Sequence, residues 1–208
     1  MRGKSSVISG ALALALFVPG VLTAYGPALA GAFEDATAAY QRGDFGAAVT
    51  LIRHLADQGD ARAQFDLATM YYDGQGMRQD REQAAKWFRK SAEQGDAQAQ
   101  RYLGFMYANG QGVARNDKEA VKWYGRAAEQ GDADAQVNLG LMYSAARGTS
   151  QNLVQAHKWF NVAASLYPLS DRGTREQALT NSERLAAKLS SDQSAEAEKL
   201  AREWQPKT

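Results

Sequence analysis

The apolar and polar positions of this chain follow a helical period through most of its length. Small and apolar residues recur at spacings of three and four, as in Ala99, Leu103 and Met106 and again in Ala120 and Trp123. This spacing places them on one side of a helix. Short polar segments rich in glycine separate the helical stretches. The pattern predicts an all-α protein in which successive helices form antiparallel pairs.

The same pattern occurs three times, with a period of 36 residues. A fixed period of this length is typical of stacked supersecondary units, none of which buries its apolar face alone. We therefore predict three repeats over residues 59–166. The recurring positions include Gly59, Gly95 and Gly131; Asp60, Asp96 and Asp132; Gln64, Gln100 and Gln136; Leu67, Leu103 and Leu139; and Trp87, Trp123 and Trp159.

Recurring glycines and short polar residues predict where each helix ends and the next begins. Gly110 and Gly112 follow the first helix of the middle repeat, and Asn116 is placed to cap the second. Gly95 is suited to a left-handed conformation at the helix end, and Asp96 then caps the next helix. The first repeat has Gly74, Gly76 and Asp80 at the loop positions, whereas the third, over residues 144–148, keeps only Gly148.

Two further sets of recurring residues predict how the helices pack. The position after each recurring leucine is small, which lets the two helices of a pair approach closely. Each tryptophan is then expected to fill a gap between pairs, burying about 200 Å². The small residues are Ala68, Gly104 and Gly140, and the tryptophans are Trp87, Trp123 and Trp159.

The middle repeat, Ala97 to Asp132, closely resembles the Sel-1-like repeat motif AxAQxxLGxMYxxGxGVxxDxxxAxxWxxxAAxxGD. The Sel-1-like family is related to the tetratricopeptide repeat. The resemblance implies an all-α, right-handed superhelical solenoid of antiparallel helix pairs. Similar exported members are regulators or scaffolds for other proteins, or secreted factors that engage host molecules.

The family resemblance also implies a binding surface. In the tetratricopeptide fold, the inner face is lined by first-helix residues two before the leucine and two and five after it. A position that recurs every 36 residues serves packing, whereas one that varies between repeats is free to serve a partner. The predicted partner-binding residues are Phe65, Thr69 and Tyr72 in the first repeat, Arg101 and Phe105 in the second, and Val137 and Leu141 in the third.

Two interpretations of these apolar positions stay open. They pack against a neighbouring pair or the C-terminal helices, or they are exposed as an apolar strip of a few hundred Å², which is typical of a protein-binding groove. Arg101 is the one basic group at the centre of the strip. It is placed to meet an acidic side chain or a peptide carboxylate of the partner.

The segments on either side of the repeats differ from them. Residues 31–58 resemble an ordinary tetratricopeptide hairpin with a shorter loop between Tyr40 and Ala48. After Pro168, residues 167–208 are expected to form two capping helices, about 171–189 and 192–204. The second is expected to open with a capping box from Ser190 to Gln193. Terminal units that differ from the middle suit a finite array, because their outer faces meet water.

Residues 1–30 have the pattern of a cleavable signal peptide. Arg2 and Lys4 precede the apolar run Val7–Val18, and Ala28–Ala30 is a small-x-small cleavage site, with the cut after Ala30. The alternative is a retained membrane anchor, which the short run and Pro19 disfavour. We therefore predict a periplasmic or secreted protein with no integral membrane segment after cleavage.

Charge and composition add little chemistry. Without Arg2 and Lys4 the 24 basic residues fall to 22, against 23 acidic ones, so no attraction to nucleic acid is expected. The chain has no cysteine for disulfides or a lipoprotein anchor. His54 and His157 lie on separate predicted helices, and the recurring aspartates are better explained as caps than as a catalytic pair. No catalytic, metal or cofactor-binding residue is predicted.

The sequence thus favours a non-enzymatic scaffold or regulator of the cell envelope, which binds a segment of another protein in a concave groove. One alternative is a binder or enzyme acting on a small cell-wall fragment, suggested by the compartment and by the aromatic residues Phe65, Tyr72 and Phe105. The other is a structural homodimer in which the apolar strip is buried between two copies.

Overall fold

The computed structural model describes residues 27–168 and 170–207, and over these ranges the chain forms ten α helices and no strand. The predicted all-α class is confirmed. Of the predicted signal segment, residues 1–26 lie outside the described residues, and residues 27–30 belong to the first helix. The helices are α1 (Pro27–Gln41), α2 (Phe45–Asp57), α3 (Ala61–Asp73), α4 (Arg81–Glu93), α5 (Ala97–Asn109), α6 (Asp117–Glu129), α7 (Ala133–Ser144), α8 (Leu153–Leu166), α9 (Arg172–Ala186) and α10 (Ser191–Arg202).

The helices form two compact units. The first ends at Asp80 and contains α1 to α3, and the second begins at Arg81 and contains α4 to α10. In the first unit α1 packs against α2 and α2 against α3, and in the second each helix from α4 to α8 packs against the next, while α10 packs against α8. None of the described helices is both long and apolar enough to span a bilayer.

The recurring Gly-Asp pairs end one helix and begin the next, as predicted. Each aspartate accepts a hydrogen bond from the backbone N–H three residues later, at 2.6 to 2.8 Å. Each preceding glycine has a left-handed backbone, which costs glycine no steric strain. The aspartates are Asp60, Asp96 and Asp132, and the glycines are Gly59, Gly95 and Gly131.

The recurring glutamine links each repeat to the helix before it. The side-chain amides of Gln64, Gln100 and Gln136 each donate to the backbone carbonyl eight residues earlier, at 3.2, 3.0 and 3.0 Å. Each of these carbonyls also accepts the backbone N–H of the glycine three residues later, so the glutamine adds a second hydrogen bond at the helix end. The glutamine therefore recurs for a structural reason.

Close packing inside the helix pairs explains the recurring glycines. A Cβ atom added to Gly104 would lie 2.8 Å from the ring of Tyr124, and one on Gly140 would lie 3.0 Å from the ring of Phe160. Real Cβ atoms essentially never come within 3.0 Å of a neighbour. A side chain at Gly104 would thus clash with Tyr124, and one at Gly140 would require Phe160 to move by a few tenths of an ångström.

The three tryptophans, each expected to fill a gap between helix pairs, differ in how far they are buried. Trp123 and Trp159 are 2% and 5% exposed, whereas Trp87 is only half-buried. The Lys90 ammonium lies 3.6 Å from the centroid of the Trp87 ring. Trp87 is thus mostly covered but less so than the other two tryptophans, while the next residue, Phe88, is fully buried.

The loop of the third repeat keeps the turn of the second although it lacks a glycine. Ala146 occupies the position of Gly110 and has a left-handed φ of 53°, against 67° for Gly110. The N–H of Arg147 donates to Met142 at 3.0 Å, as that of Gln111 does to Met106 at 2.9 Å. The backbone hydrogen bonds therefore hold the same turn in both loops.

The C-terminal segment forms two helices, as predicted. The capping box between Ser190 and Gln193 is present at the start of α10. After α10 the tail returns to α6, where the N–H of Lys207 donates to the Glu129 carbonyl at 2.8 Å. Trp204 meets Trp159 edge-on, with ring centroids 6.2 Å apart.

Candidate partner-binding surface

The predicted face of the first unit lies on α3. Phe65 and Tyr72 are half-buried. Thr69 is 5% exposed, and its hydroxyl donates to the Phe65 carbonyl at 3.1 Å. Since a side chain with so little exposed surface offers a partner almost nothing to contact, the prediction for Thr69 is wrong.

On α5 the predicted basic residue already has acidic partners within the protein. Arg101 Nε lies 2.9 Å from Asp132 Oδ2, and Arg101 Nη1 lies 3.8 Å from Asp134 Oδ2. The Arg101 side chain is 14% exposed, so its charge is both paired and largely shielded. Arg101 was predicted to meet a carboxylate of the partner, and the structure corrects this: the residue joins α5 to the start of α7.

The surroundings of this ion pair shift several pKa values. Burial lowers the pKa of Arg101, but Asp132 and Asp134 outweigh it and leave a net rise. Burial raises the pKa of the Asp132 carboxyl, and Arg101 opposes that rise. The Tyr167 hydroxyl donates to Asp134 Oδ1 at 2.7 Å, and burial together with this bond raises the pKa of Tyr167. The raised pKa keeps the Tyr167 hydroxyl protonated as the donor to Asp134, while Arg101 favours the charged form of Asp132.

Two of the predicted apolar residues pack against the core. Phe105 contacts the cluster that contains Tyr124 and Leu139. Val137 contacts the cluster that contains Phe160 of α8 and Leu185 of α9. For these two residues the structure supports packing, and for Val137 the packing involves a C-terminal helix.

Leu141 is the exposed member of the predicted set. It is 45% exposed on α7, at a pocket of about 230 Å³ formed by α7, α8 and α9. We call this the α7–α9 pocket. Its apolar lining comes from Leu141, Leu153, Phe160 and Leu185, and its polar lining from Ser144, Gln151, Asn181, Arg184 and Lys188.

Sequence reasoning missed the side of this pocket that α9 provides. Asn181, Arg184, Leu185 and Lys188 follow the spacing i, i+3, i+4, i+7, which indicates a single face of a helix. Nothing in the period of the repeats indicates where that face packs, because α9 follows Pro168 and lies outside the repeats. The spacing alone therefore predicts this helix face but not the helix against which it packs.

A second, larger pocket lies at the other side of α8. It has a volume of about 620 Å³ and is formed by α8, α10 and the tail, with Leu166, Arg202 and Trp204 among its lining residues. Neither pocket is lined by Phe65, Tyr72 or Phe105, the aromatic residues that suggested a cell-wall fragment. In the described part of the chain no three His, Asp or Glu side chains come together as a metal site would need.

Comparison with known proteins agrees with this architecture. A family model described as the Sel1 repeat matches residues 61–96, 97–132 and 133–167. No curated protein matches the chain.

Two solved structures are similar over most of this chain. One is a protective antigen present in uropathogenic Escherichia coli strains that displays an SLR fold, with 32% identity over 76% of this chain and a TM-score of 0.66. The other is a Sel1 repeat protein from Oxalobacter formigenes, with 29% identity over 78% of this chain and a TM-score of 0.61. The aligned regions span 32% and 66% of those proteins.

Proteins with Sel1 repeats generally serve as scaffolds for protein–protein interaction and are typically not enzymes. Their fold is an α-solenoid, which confirms the predicted architecture of stacked helix pairs. The three matched segments follow one another without a gap from residue 61 to residue 167, and they contain the recurring residues that cap and pack the helices. The chain therefore belongs to the Sel1 repeat family.

Proposed function

We propose that this protein is a non-enzymatic scaffold of the cell envelope that binds a segment of another protein at the exposed face of α7. The observation that carries the proposal is the exposure of Leu141 at an open pocket, while the recurring residues Gln136, Leu139 and Met142 of α7 are buried. An apolar side chain exposed beside a concave surface is typical of a site that a partner covers.

The face of α5 offers a partner less contact surface than the sequence predicted. Arg101 is paired and Phe105 packs against the core, so partner contact there is confined to the remaining surface of Phe105. Phe65 and Tyr72 of the first unit remain proposed contacts. The envelope location rests on the signal-peptide pattern of residues 1–30.

Site-specific photo-crosslinking in the cells that make the protein tests the proposal. A photoreactive amino acid replaces Ser144, which lines the pocket, and in a parallel strain it replaces Leu179, which is exposed elsewhere on α9. We expect an adduct with another protein from position 144 and none from position 179. Leu141→Glu should remove the adduct, because a carboxylate would have to be desolvated when the partner binds.

Three results would contradict the proposal. Adducts of equal yield at positions 144 and 179 would mean that contact is unspecific. An adduct of twice the mass of the chain would instead show that a second copy covers the face. Recovery of the tagged protein in the cytoplasmic fraction would remove the envelope location.

A further inference from the structure

The α7–α9 pocket has the size of a side-chain site. Its volume of about 230 Å³ lies below the range of roughly 300–1,000 Å³ that is typical of small-molecule sites. Its apolar lining is Leu141, which is 45% exposed, together with Phe160 and Leu185, which are only 1% and 6% exposed. One leucine or phenylalanine side chain would bury most of its area there, which is the usual role of an anchor residue in peptide recognition.

The polar lining of the pocket is cationic. Arg184 lies on α9 and Lys188 lies in the turn that follows it, and both are exposed residues that line the pocket. In the described residues neither forms a salt bridge, and the residues lining the pocket include no carboxylate. Arg147 differs, because its guanidinium lies 2.8 Å from Asp117. Among the described residues, Arg184 and Lys188 thus lack the close carboxylate partner that Arg147 has.

We infer that the α7–α9 pocket binds an acidic segment of another protein, which inserts one apolar side chain and sets side-chain carboxylates against Arg184 and Lys188. The inference rests on the proposed function, since it names the chemistry of the partner at the same face. Two cations that line one pocket, four residues apart in the chain, suit two carboxylates along a segment. A chain terminus has one carboxylate and is usually held by donors that converge on it.

Binding of short synthetic peptides tests the charge requirement. The probe is an acetylated and amidated peptide in which one leucine stands between two pairs of glutamates, and affinity is measured by isothermal titration calorimetry with the full chain. We expect saturable binding that weakens when salt rises from about 50 to about 500 mM, because exposed ion pairs are screened. The same peptide with glutamines in place of the glutamates should bind about tenfold more weakly.

Variants of the protein locate the effect. The double variant Arg184→Gln, Lys188→Gln should weaken binding of the glutamate peptide about tenfold and leave the glutamine peptide unaffected. The matched control Arg172→Gln, Lys199→Gln removes the same two charges from exposed positions outside the pocket and should change neither affinity. Leu141→Glu should abolish binding of both peptides.

Three outcomes would overturn the inference. The first is no binding of the glutamate peptide. The second is an equal loss of affinity in the matched control, which would show a general charge effect. The third is tighter binding of a glutamine peptide with a free C-terminal carboxylate, which would assign the cations to a chain terminus.

The scaffold role and the acidic partner can fail independently. If Arg184→Gln, Lys188→Gln keeps the crosslinked adduct at position 144 while Leu141→Glu loses it, the scaffold role stands and the acidic partner does not. If neither variant changes the adduct, the site itself is wrong.

Discussion

Helices α5 and α7 begin the second and third repeats, and they share every recurring packing residue but differ at the position two before the leucine. On α5 this residue is Arg101, which pairs with Asp132, the cap of the next repeat. On α7 it is Val137, and the residue 36 positions after Asp132 is Pro168. At α7 the aspartate that would cap a further repeat is absent, and the basic residue that would pair with it is absent too.

The difference between the two helices changes what each surface offers a partner. The α5 position is occupied by an internal ion pair, whereas Val137 packs against a cluster that includes Leu185 of α9. Helix α9 thereby brings Arg184 and Lys188 beside Leu141. In place of the internal ion pair found at α5, α7 thus has an open pocket lined by Arg184 and Lys188, which form no salt bridge among the described residues.

The largest effect is expected from breaking the ion pair of α5. Arg101→Met keeps the length of the side chain but leaves Asp132, whose side chain is 12% exposed, without its cation. We expect the free energy of unfolding to fall by about 2 kcal/mol, because a shielded charge without a partner is costly. Urea denaturation followed by circular dichroism measures the change.

The corresponding position of α7 provides the control. Val137→Met alters a half-buried apolar residue that has no ionic partner, and it should cost less than about 1 kcal/mol. In the double variant Arg101→Met, Asp132→Asn, the asparagine still caps α7 and part of the loss should return. Equal losses for Arg101→Met and Val137→Met would show that the ion pair contributes no stability.

The caps and the loops could be predicted from the sequence because they recur. Asp96 and Asp132 stand at the same place in each period, and the same backbone geometry follows from the same local chemistry. The state of Arg101 required a contact between residues 31 positions apart, which the period did not single out. The pocket required the docking of α9, for which the sequence contains no repeated partner.

A smaller effect is expected from the loops that follow α5 and α7. Ala146 is the one residue other than glycine with positive φ among the described residues. Ala146→Gly should raise the free energy of unfolding by up to about 1 kcal/mol, and Gly110→Ala should lower it by about as much, because a left-handed backbone strains any residue with a Cβ. The nearest atom to a Cβ on Gly110 is 3.4 Å away, so strain and not a clash would dominate.

Gly125 is the control for this pair. It lies inside α6 with open space around the added methyl group. Gly125→Ala should stabilise the protein, by up to about 1 kcal/mol, because alanine favours a helix interior. Chemical denaturation of the three variants should then show a lower free energy of unfolding for Gly110→Ala and a higher one for Gly125→Ala. If Gly110→Ala were neutral, the loop would adapt and the glycine would recur for another reason.

The smallest effect concerns the helices that follow, α6 and α8, where His157 occupies the position of Val121. His157 is 4% exposed, and its Nδ1 atom is buried without a hydrogen-bond partner. Burial lowers the pKa of His157 below its usual value, although Glu198 of α10 acts in the opposite direction. The folded chain therefore resists protonation that the unfolded chain accepts, and stability should be lost as the pH falls below about 6.5.

His157→Val, which copies the second repeat, should reduce the loss of unfolding free energy between pH 7 and pH 5. If the unfolding free energy of His157→Val fell with pH as steeply as that of the unmodified protein, the carboxylates alone would set the acid sensitivity. The histidine of the third helix pair would then make no difference from the valine of the second.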